Sequence, residues 1–298
     1  MEKVVVIGGA GFLGSHIADE LSDQGYDVVI FDTSQSRWIR SDQKMVVGDI
    51  FDTEKLEDIL EDAQYCYHFA GIADIAESRR APLETLRINV MGASAVLEVA
   101  RKKRVKRFVY ASTMYVYSPF GSFYRASKQA SEIIVESYQQ EFGLDYTLLR
   151  YGSLYGPRSQ KWNGLRKYVE EVVKVGRIEY PGTGAEKREY IHAKDAARLS
   201  VEILSEQFKN KAITVTGTQL LSSEEMLNLI FEIAGEEKDV VFADSKTENY
   251  HYKMTPYRYT PKYAYKLVPK EFIDLGQGIL ELVEEVAEDQ NENNDIIR

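Results

Sequence analysis

At 298 residues, 44% of them hydrophobic and 28% charged, the chain has enough apolar material for a large core and one or two domains. Its formal net charge of −10 argues against non-specific nucleic-acid binding and against an anionic membrane surface, while leaving room for a local basic pocket. No apolar run approaches the roughly 20 residues that span a bilayer, and the opening MEKVVVIGGAG enters a strand without the pattern of a secretory leader. Cys66 is the single cysteine, so no disulfide forms within the chain. A cytoplasmic setting and a buried, unreactive thiol are expected.

In chain order, β-rich runs alternate with helical ones. KVVVIGG leads to GSHIADELSDQG, then DVVIFDT, a polar loop, KMVVGDI, TEKLEDILED and QYCYHFAG. A long helical run from Leu83 to Lys103 precedes VKRFVYAS, a helix from Tyr124 to Phe142, and DYTLLRYG. Continuous apolar strands between amphipathic helices imply a parallel sheet covered on both faces, and the right-handed crossover rule makes it doubly wound α/β, of Rossmann type. Past Arg158 the pattern changes. A helix is expected over Trp162 to Val175, a strand and turn at GRIEYPGTG, an extended-to-helical segment at REYIHAKDAARLSVEIL, and a returning strand at AITVTG. SSEEMLNLIFEIAG carries a capping box at Ser222. The expected division is a cofactor domain over 1–157, with 189–217 returning to it. A smaller mixed α/β domain takes 158–188 and 218–285, and 286–298 is a frayed acidic tail.

VVVIGGAGFLGSHIADEL sets Gly8, Gly11 and Gly14 between a strand and a helix, with Phe12 and Leu13 inside the turn. Glycines there allow a tight turn and close backbone approach to a pyrophosphate, which the helix N-terminus attracts. Asp32 closes the second strand near the roughly 20-residue offset at which a carboxylate meets the adenine ribose. It favours NAD over NADP, although Arg37, five residues on, offers a partner for a 2′-phosphate. Asp49 and Ile50 are expected at the adenine edge, and Phe69, Ala70 and Gly71 of HFAG along the ribose and pyrophosphate.

ASTMYVYSPFGSFYRASKQASE brings a hydroxyl, a phenol and an ammonium together. A free Tyr titrates at about 10, and a nearby cation lowers it. Tyr124 and Lys128 stand one helical turn apart on the same face, and Thr113 ends the preceding strand. The trio suits alcohol–carbonyl interconversion: Tyr124 as the base, Thr113 on the same substrate oxygen, and Lys128 tuning the phenol and holding the nicotinamide ribose.

With GGAGFLG, HFAG, NVMGASAVLE, ASTMYVY, YRASK, LRYGSLYGPR and REYIHAKDAA in this order, nearly the whole chain resembles the extended short-chain dehydrogenase/reductases. It is most similar to their NAD-dependent epimerase/dehydratase branch of nucleotide-sugar enzymes. The resemblance implies NAD held through turnover, with Asn89 among its contacts. It also implies a nucleoside-diphosphate sugar beneath the smaller domain and homodimers built on the helices around Ala93 and Ile133. Family 4,6-dehydratases carry Asp-Glu directly after the strand-end Thr. Met114 and Tyr115 stand there instead, which disfavours that reaction and matches the 4-epimerases. A nucleotide-sugar ketoreductase or dehydrogenase using the same trio is the alternative. A cofactor-sensing binder ranks last, since it has no need of a base.

Three departures qualify the resemblance. Only ten residues, Met114 through Phe123, separate Thr113 from Tyr124, where family epimerases have a longer segment that walls the sugar. Ser153 replaces the usual diphosphate-contacting Asn. PGTGAEKREYIH replaces GDG..RDFVH but keeps Arg188, whose guanidinium fork suits a phosphate. His192 and Asp195 read as structural, and the four His residues and lone Cys make no zinc set. In the Tyr-rich YHYKMTPYRYTPKYAYKL, expected to line the nucleotide pocket, Lys253 and Arg258 are candidates for a second diphosphate contact.

Overall fold

The computed structural model describes residues 1–243 and 251–259, all within the unit Met1–Thr260. The expected tail at 286–298, and most of the expected second domain beyond 259, lie outside the described residues. The strands are β1 (Lys3–Ile7), β2 (Asp27–Asp32), β3 (Lys44–Val47), β4 (Tyr65–His68), β5 (Arg107–Thr113) and β6 (Tyr146–Tyr151). They continue with β7 (Ser153–Tyr155), β8 (Ile178–Tyr180), β9 (Lys187–His192), β10 (Lys211–Val215), β11 (Leu220–Ser222) and β12 (Val240–Phe242). The helices are α1 (Phe12–Asp23), α2 (Thr53–Leu60), α3 (Ile75–Arg80), α4 (Pro82–Leu86), α5 (Ala93–Lys102), α6 (Ser122–Phe142), α7 (Gly164–Val175), α8 (Ala193–Glu202) and α9 (Ser223–Ala234).

Seven strands form one parallel sheet in the order β10-β6-β5-β4-β1-β2-β3. Its apolar strands bury both faces, as β1 illustrates. Val4 and Val6 pack with Ile17 and Leu21 of α1 and Ala197 and Val201 of α8. Val5 and Ile7 pack with Leu56 of α2 and Val96 and Leu97 of α5. This is the doubly wound Rossmann arrangement that the alternation of elements implies. The chain runs outward from β1 through β2 to β3, then returns to β4 on the other side of β1. The crevice at the carboxyl ends of β1 and β4 is therefore the switch point, where such sheets bind ligands. Cys66 of β4 lies fully inside, its thiol pushed up by burial.

A three-stranded sheet β11-β9-β7 and the pair β12-β8 follow, with a separate core of Val172, Ile178, Leu227, Ile230 and Phe231. The helix expected unbroken over Leu83 to Lys103 is instead α4, a π-helical stretch Arg87–Gly92, and α5. Asn89 sits in that wide turn and spends its amide elsewhere: it accepts from Ile72 N at 2.7 Å and donates to Ile72 O at 2.9 Å and Ser127 Oγ at 2.9 Å.

Candidate active site

The glycine turn is shaped by contact as well as by conformation. Gly8 has φ +83°, and a Cβ there would lie 2.4 Å from Ala70 N; one on Gly14 would lie 2.4 Å from Gly8 O. The loop after β4 thus sits directly on the loop after β1, and side chains are excluded from the crevice between them. α1 begins behind Gly11 with no side-chain cap, so its first N–H groups remain available to an anion. Asp32 accepts from Ala10 N at 3.0 Å through one carboxylate oxygen, which fixes it beside the turn.

A cavity of about 1130 Å³ opens here and continues to the smaller sheets. Gly8, Gly11, Phe12, Leu13 and Gly14 line it from the first turn. Asp32, Asp49 and Ile50 line it from the ends of β2 and β3, and Phe69, Ala70 and Gly71 from the end of β4. A narrow backbone cradle, a helix start without a cap and a carboxylate at the second strand's end fit a dinucleotide. One expectation differs and one alternative loses its support. Asn89 does not line the cavity, because its amide ties the Gly71–Ile72 turn to α6, which makes it a support for the cradle. Arg37 is exposed and away from the cavity, so nothing basic from that loop answers Asp32.

Thr113, Tyr124 and Lys128 all line the same cavity. Tyr124 shares a hydrogen bond with Thr113, yet burial outweighs it and raises the phenol to about 12. Lys128 is 5% exposed and lowered to about 8 by burial, an effect that Glu132 opposes. Its ammonium donates to Ala111 O at 2.8 Å and lies 4.7 Å from the centre of the Tyr110 ring. Burial therefore outweighs the other influences on the phenol in this geometry. Among the described residues the nearest acceptor of the ammonium is a strand carbonyl, and Tyr124 sits above its ordinary value.

Across the cavity stand Ser153 and Arg188. Arg188 is half-buried, 4.9 Å above the Tyr252 ring, with Tyr115, Tyr190 and Tyr180 also facing it. Among the described residues no carboxylate pairs with it, so it is a cation presented to the cavity. Arg258 and Lys253, by contrast, are exposed and do not line the cavity. The segment 251–259 runs beside β9: Lys187 N donates to Lys253 O at 2.8 Å and Glu189 N to Thr255 Oγ1 at 3.2 Å. That docking turns Tyr252 and Thr255 inward and leaves Arg258 outside.

The same segment supplies the wall missing from the short Thr113–Tyr124 connection. Tyr115 hydrogen-bonds His251 Nδ1 at 2.5 Å, lies 4.6 Å from the Tyr252 ring, and meets Tyr124 edge-on at 6.2 Å. His251, whose imidazole is lowered to about 4 by burial and then by Arg188, and Tyr252 both line the cavity. Their signal in the sequence was only the tyrosine-rich composition, which carries no register. His192 caps α8 through Lys194 N at 3.2 Å and Asp195 pairs with Arg198, both structural.

The sequence profile of the NAD dependent epimerase/dehydratase family matches residues 4–216. A Methanocaldococcus jannaschii protein with a provisional UDP-glucose 4-epimerase name is 28% identical over 305 residues, covering 94% of this chain and 97% of its own. The UDP-glucose 4-epimerase of Thermotoga maritima, solved with UDP-glucose, superposes with a TM-score of 0.78 at 27% identity, over 87% of this chain and 90% of that one. A dTDP-glucose 4,6-dehydratase of Streptomyces antibioticus is 25% identical, over 95% of this chain and 91% of its own. On the match across most of its length, the chain belongs to the NAD dependent epimerase/dehydratase family.

Proposed function

We propose that the protein is an NAD-dependent nucleotide-sugar epimerase that oxidises one sugar hydroxyl, at C4, and restores it with the opposite configuration. The observation that carries this is local. Thr113, Tyr124 and Lys128 converge beside the glycine cradle, and the two residues that follow Thr113 bear no carboxyl group. Arg188, a cation without a carboxylate partner among the described residues, is available to the diphosphate on the far side of the same cavity.

Bound NAD supplies the hydride acceptor and a positive ring. Tyr124 takes the proton of the reacting hydroxyl and returns it, while Thr113 binds the same oxygen. A phenol at about 12 is a poor base near neutrality, so the positive charge of Lys128 and of the coenzyme has to bring it down. Tyr115, His251 and Tyr252 bound the sugar. Residues 1–157 and 189–217 take the coenzyme; 158–188 and 218–285 take the sugar nucleotide. A cytoplasmic homodimer completes the proposal.

The raised phenol also favours a second reading, since a firmly protonated Tyr124 is poised to donate to a carbonyl, as a ketoreductase requires. Gentle denaturation of the purified protein followed by mass spectrometry separates the two. Near-stoichiometric NAD supports the epimerase, whereas a chain that releases no nucleotide and turns over added NADPH supports the reductase. With UDP-galactose as substrate, Tyr124→Phe should lower turnover by about 100-fold or more and leave NAD content unchanged. An active variant would refute the role given to Tyr124.

A further inference from the structure

α6 carries Tyr124, Lys128 and Glu132 one turn apart along one stripe. They meet three consecutive residues at the end of β5. Tyr124 shares its bond with Thr113, Lys128 Nζ donates to Ala111 O at 2.8 Å, and Ser112 Oγ donates to Glu132 Oε1 at 2.5 Å. Arg150, which faces Ser112 in the β5–β6 register, completes the set. Its Nε donates to Glu132 Oε1 at 2.9 Å and its Nη2 to Oε2 at 2.6 Å. Glu132 is 3% exposed and Arg150 8%. The Tyr117 ring covers the guanidinium at 4.7 Å and the Tyr259 ring at 5.9 Å.

A dry, bidentate ion pair adds little net stability over well-packed apolar residues, because both charges lose their water. Its position suggests a different use. Around the Lys128 ammonium stand His68 from β4, Tyr110 from β5 and Glu132 from its own helix. His68 is buried with both ring nitrogens unpartnered among the described residues, and burial with the Lys128 charge holds it neutral, down to about 3. Among the described residues, Glu132 is the one anion acting on Lys128.

We propose that Glu132 is a positioning residue: gripped by Arg150 and Ser112, it fixes the strand end that carries Thr113 and serves as the counter-charge that keeps Lys128 protonated in a dry site. The proposal rests on the function above only for its consequence, since a neutral Lys128 gives Tyr124 no charge. With its titration near 8, Lys128 is mostly charged at neutral pH. Loss of the anion moves that titration downward, into the range where the lysine is neutral for much of the time.

The test follows Lys128 directly, in the full chain labelled with 13C at the lysine Cε, its signal identified by its loss in Lys128→Met. The midpoint should fall by about one pH unit or more in Glu132→Gln and return toward the wild-type value in Glu132→Asp. If Glu132→Gln fails to fold with Arg150 left unpaired, Glu132→Gln/Arg150→Met removes both charges, and a smaller fall in the same direction is expected. A midpoint unchanged in the folded variant overturns the inference. Turnover of UDP-galactose by Lys128→Met distinguishes this failure from the other. Retained turnover removes the proposed function while the titration result stands, and an inactive Lys128→Met with an unmoved midpoint removes the inference alone.

Discussion

A lysine ammonium in a dry site is held there at a cost, and Lys128 shows its size. Folding lowers it from 10.5 to about 8, so the folded state releases a proton more readily than the unfolded state between those values. Stability contributed by this group therefore rises with pH across that window, and the penalty is fully present below it. Lys128→Met should raise stability at pH 7 by about 2 kcal/mol, less than the shift alone implies because the bond to Ala111 is also lost. Chemical denaturation at pH 7 and pH 9.5 checks both the gain and its decline with pH. At Asp32 the expectation concerns the coenzyme. Asp32→Ala should weaken NAD more than NADP, because it removes an acceptor for ribose hydroxyls and a charge that repels a phosphate. Equal losses in titration calorimetry would defeat the selectivity argument. These single positions were legible in the sequence because each sits at a fixed offset from a strand end. What the spacing did not reveal was direction: i and i+4 put Lys128 beside Tyr124, but the open carbonyl of Ala111 claims the ammonium.

Elements set that direction. α6 is a 21-residue helix closed by Gly143 at φ +71°, and its stripe of contacts to β5 follows from helical period alone. A comparable logic holds at α9, where Ser222 and Glu225 form the expected capping box, Ser222 Oγ accepting from Glu225 N at 3.2 Å and Glu225 Oε2 from Ser222 N at 2.7 Å. Ser222→Ala should cost about 1 kcal/mol, read from thermal unfolding, and little turnover. The broken helix of 82–102 marks where local patterning stops informing. Nothing in RINVMG announces a π-helical turn, because the turn exists to reach Ile72 and Ser127, which lie far along the chain. The wall from 251–259 is similar. Its tyrosines were visible, but their inward or outward sense depends on docking against β9, so Tyr252 enters the cavity while Arg258 stays outside.

For the whole molecule, buried phenols decide the alkaline limit. Tyr67, Tyr110 and Tyr151 are all raised by burial, so the folded state keeps protons that the unfolded state loses above about 10. The stability they contribute is intact below that value and is lost as pH rises past it. Thermal unfolding between pH 9 and 11 should show a steep fall, and a flat profile would contradict it. The α5–α6 side of the sheet exposes Met91 at 61% and Ile133 at 63%, while Ala93 is buried. If the proposed homodimer forms there, Ile133→Glu should yield monomers in light-scattering chromatography with coenzyme content retained. The doubly wound sheet was readable from alternation because it follows from local period and chain order. The meeting of distant segments around Tyr115 was not.

That meeting has a consequence for damage. The cradle is built from Gly8, Gly14 and Ala70, whereas Tyr115 is closed in by His251 and Tyr252. A proteolytic nick between Tyr252 and Thr255 should therefore spare coenzyme uptake while stripping the opposite side of the cavity of its cover.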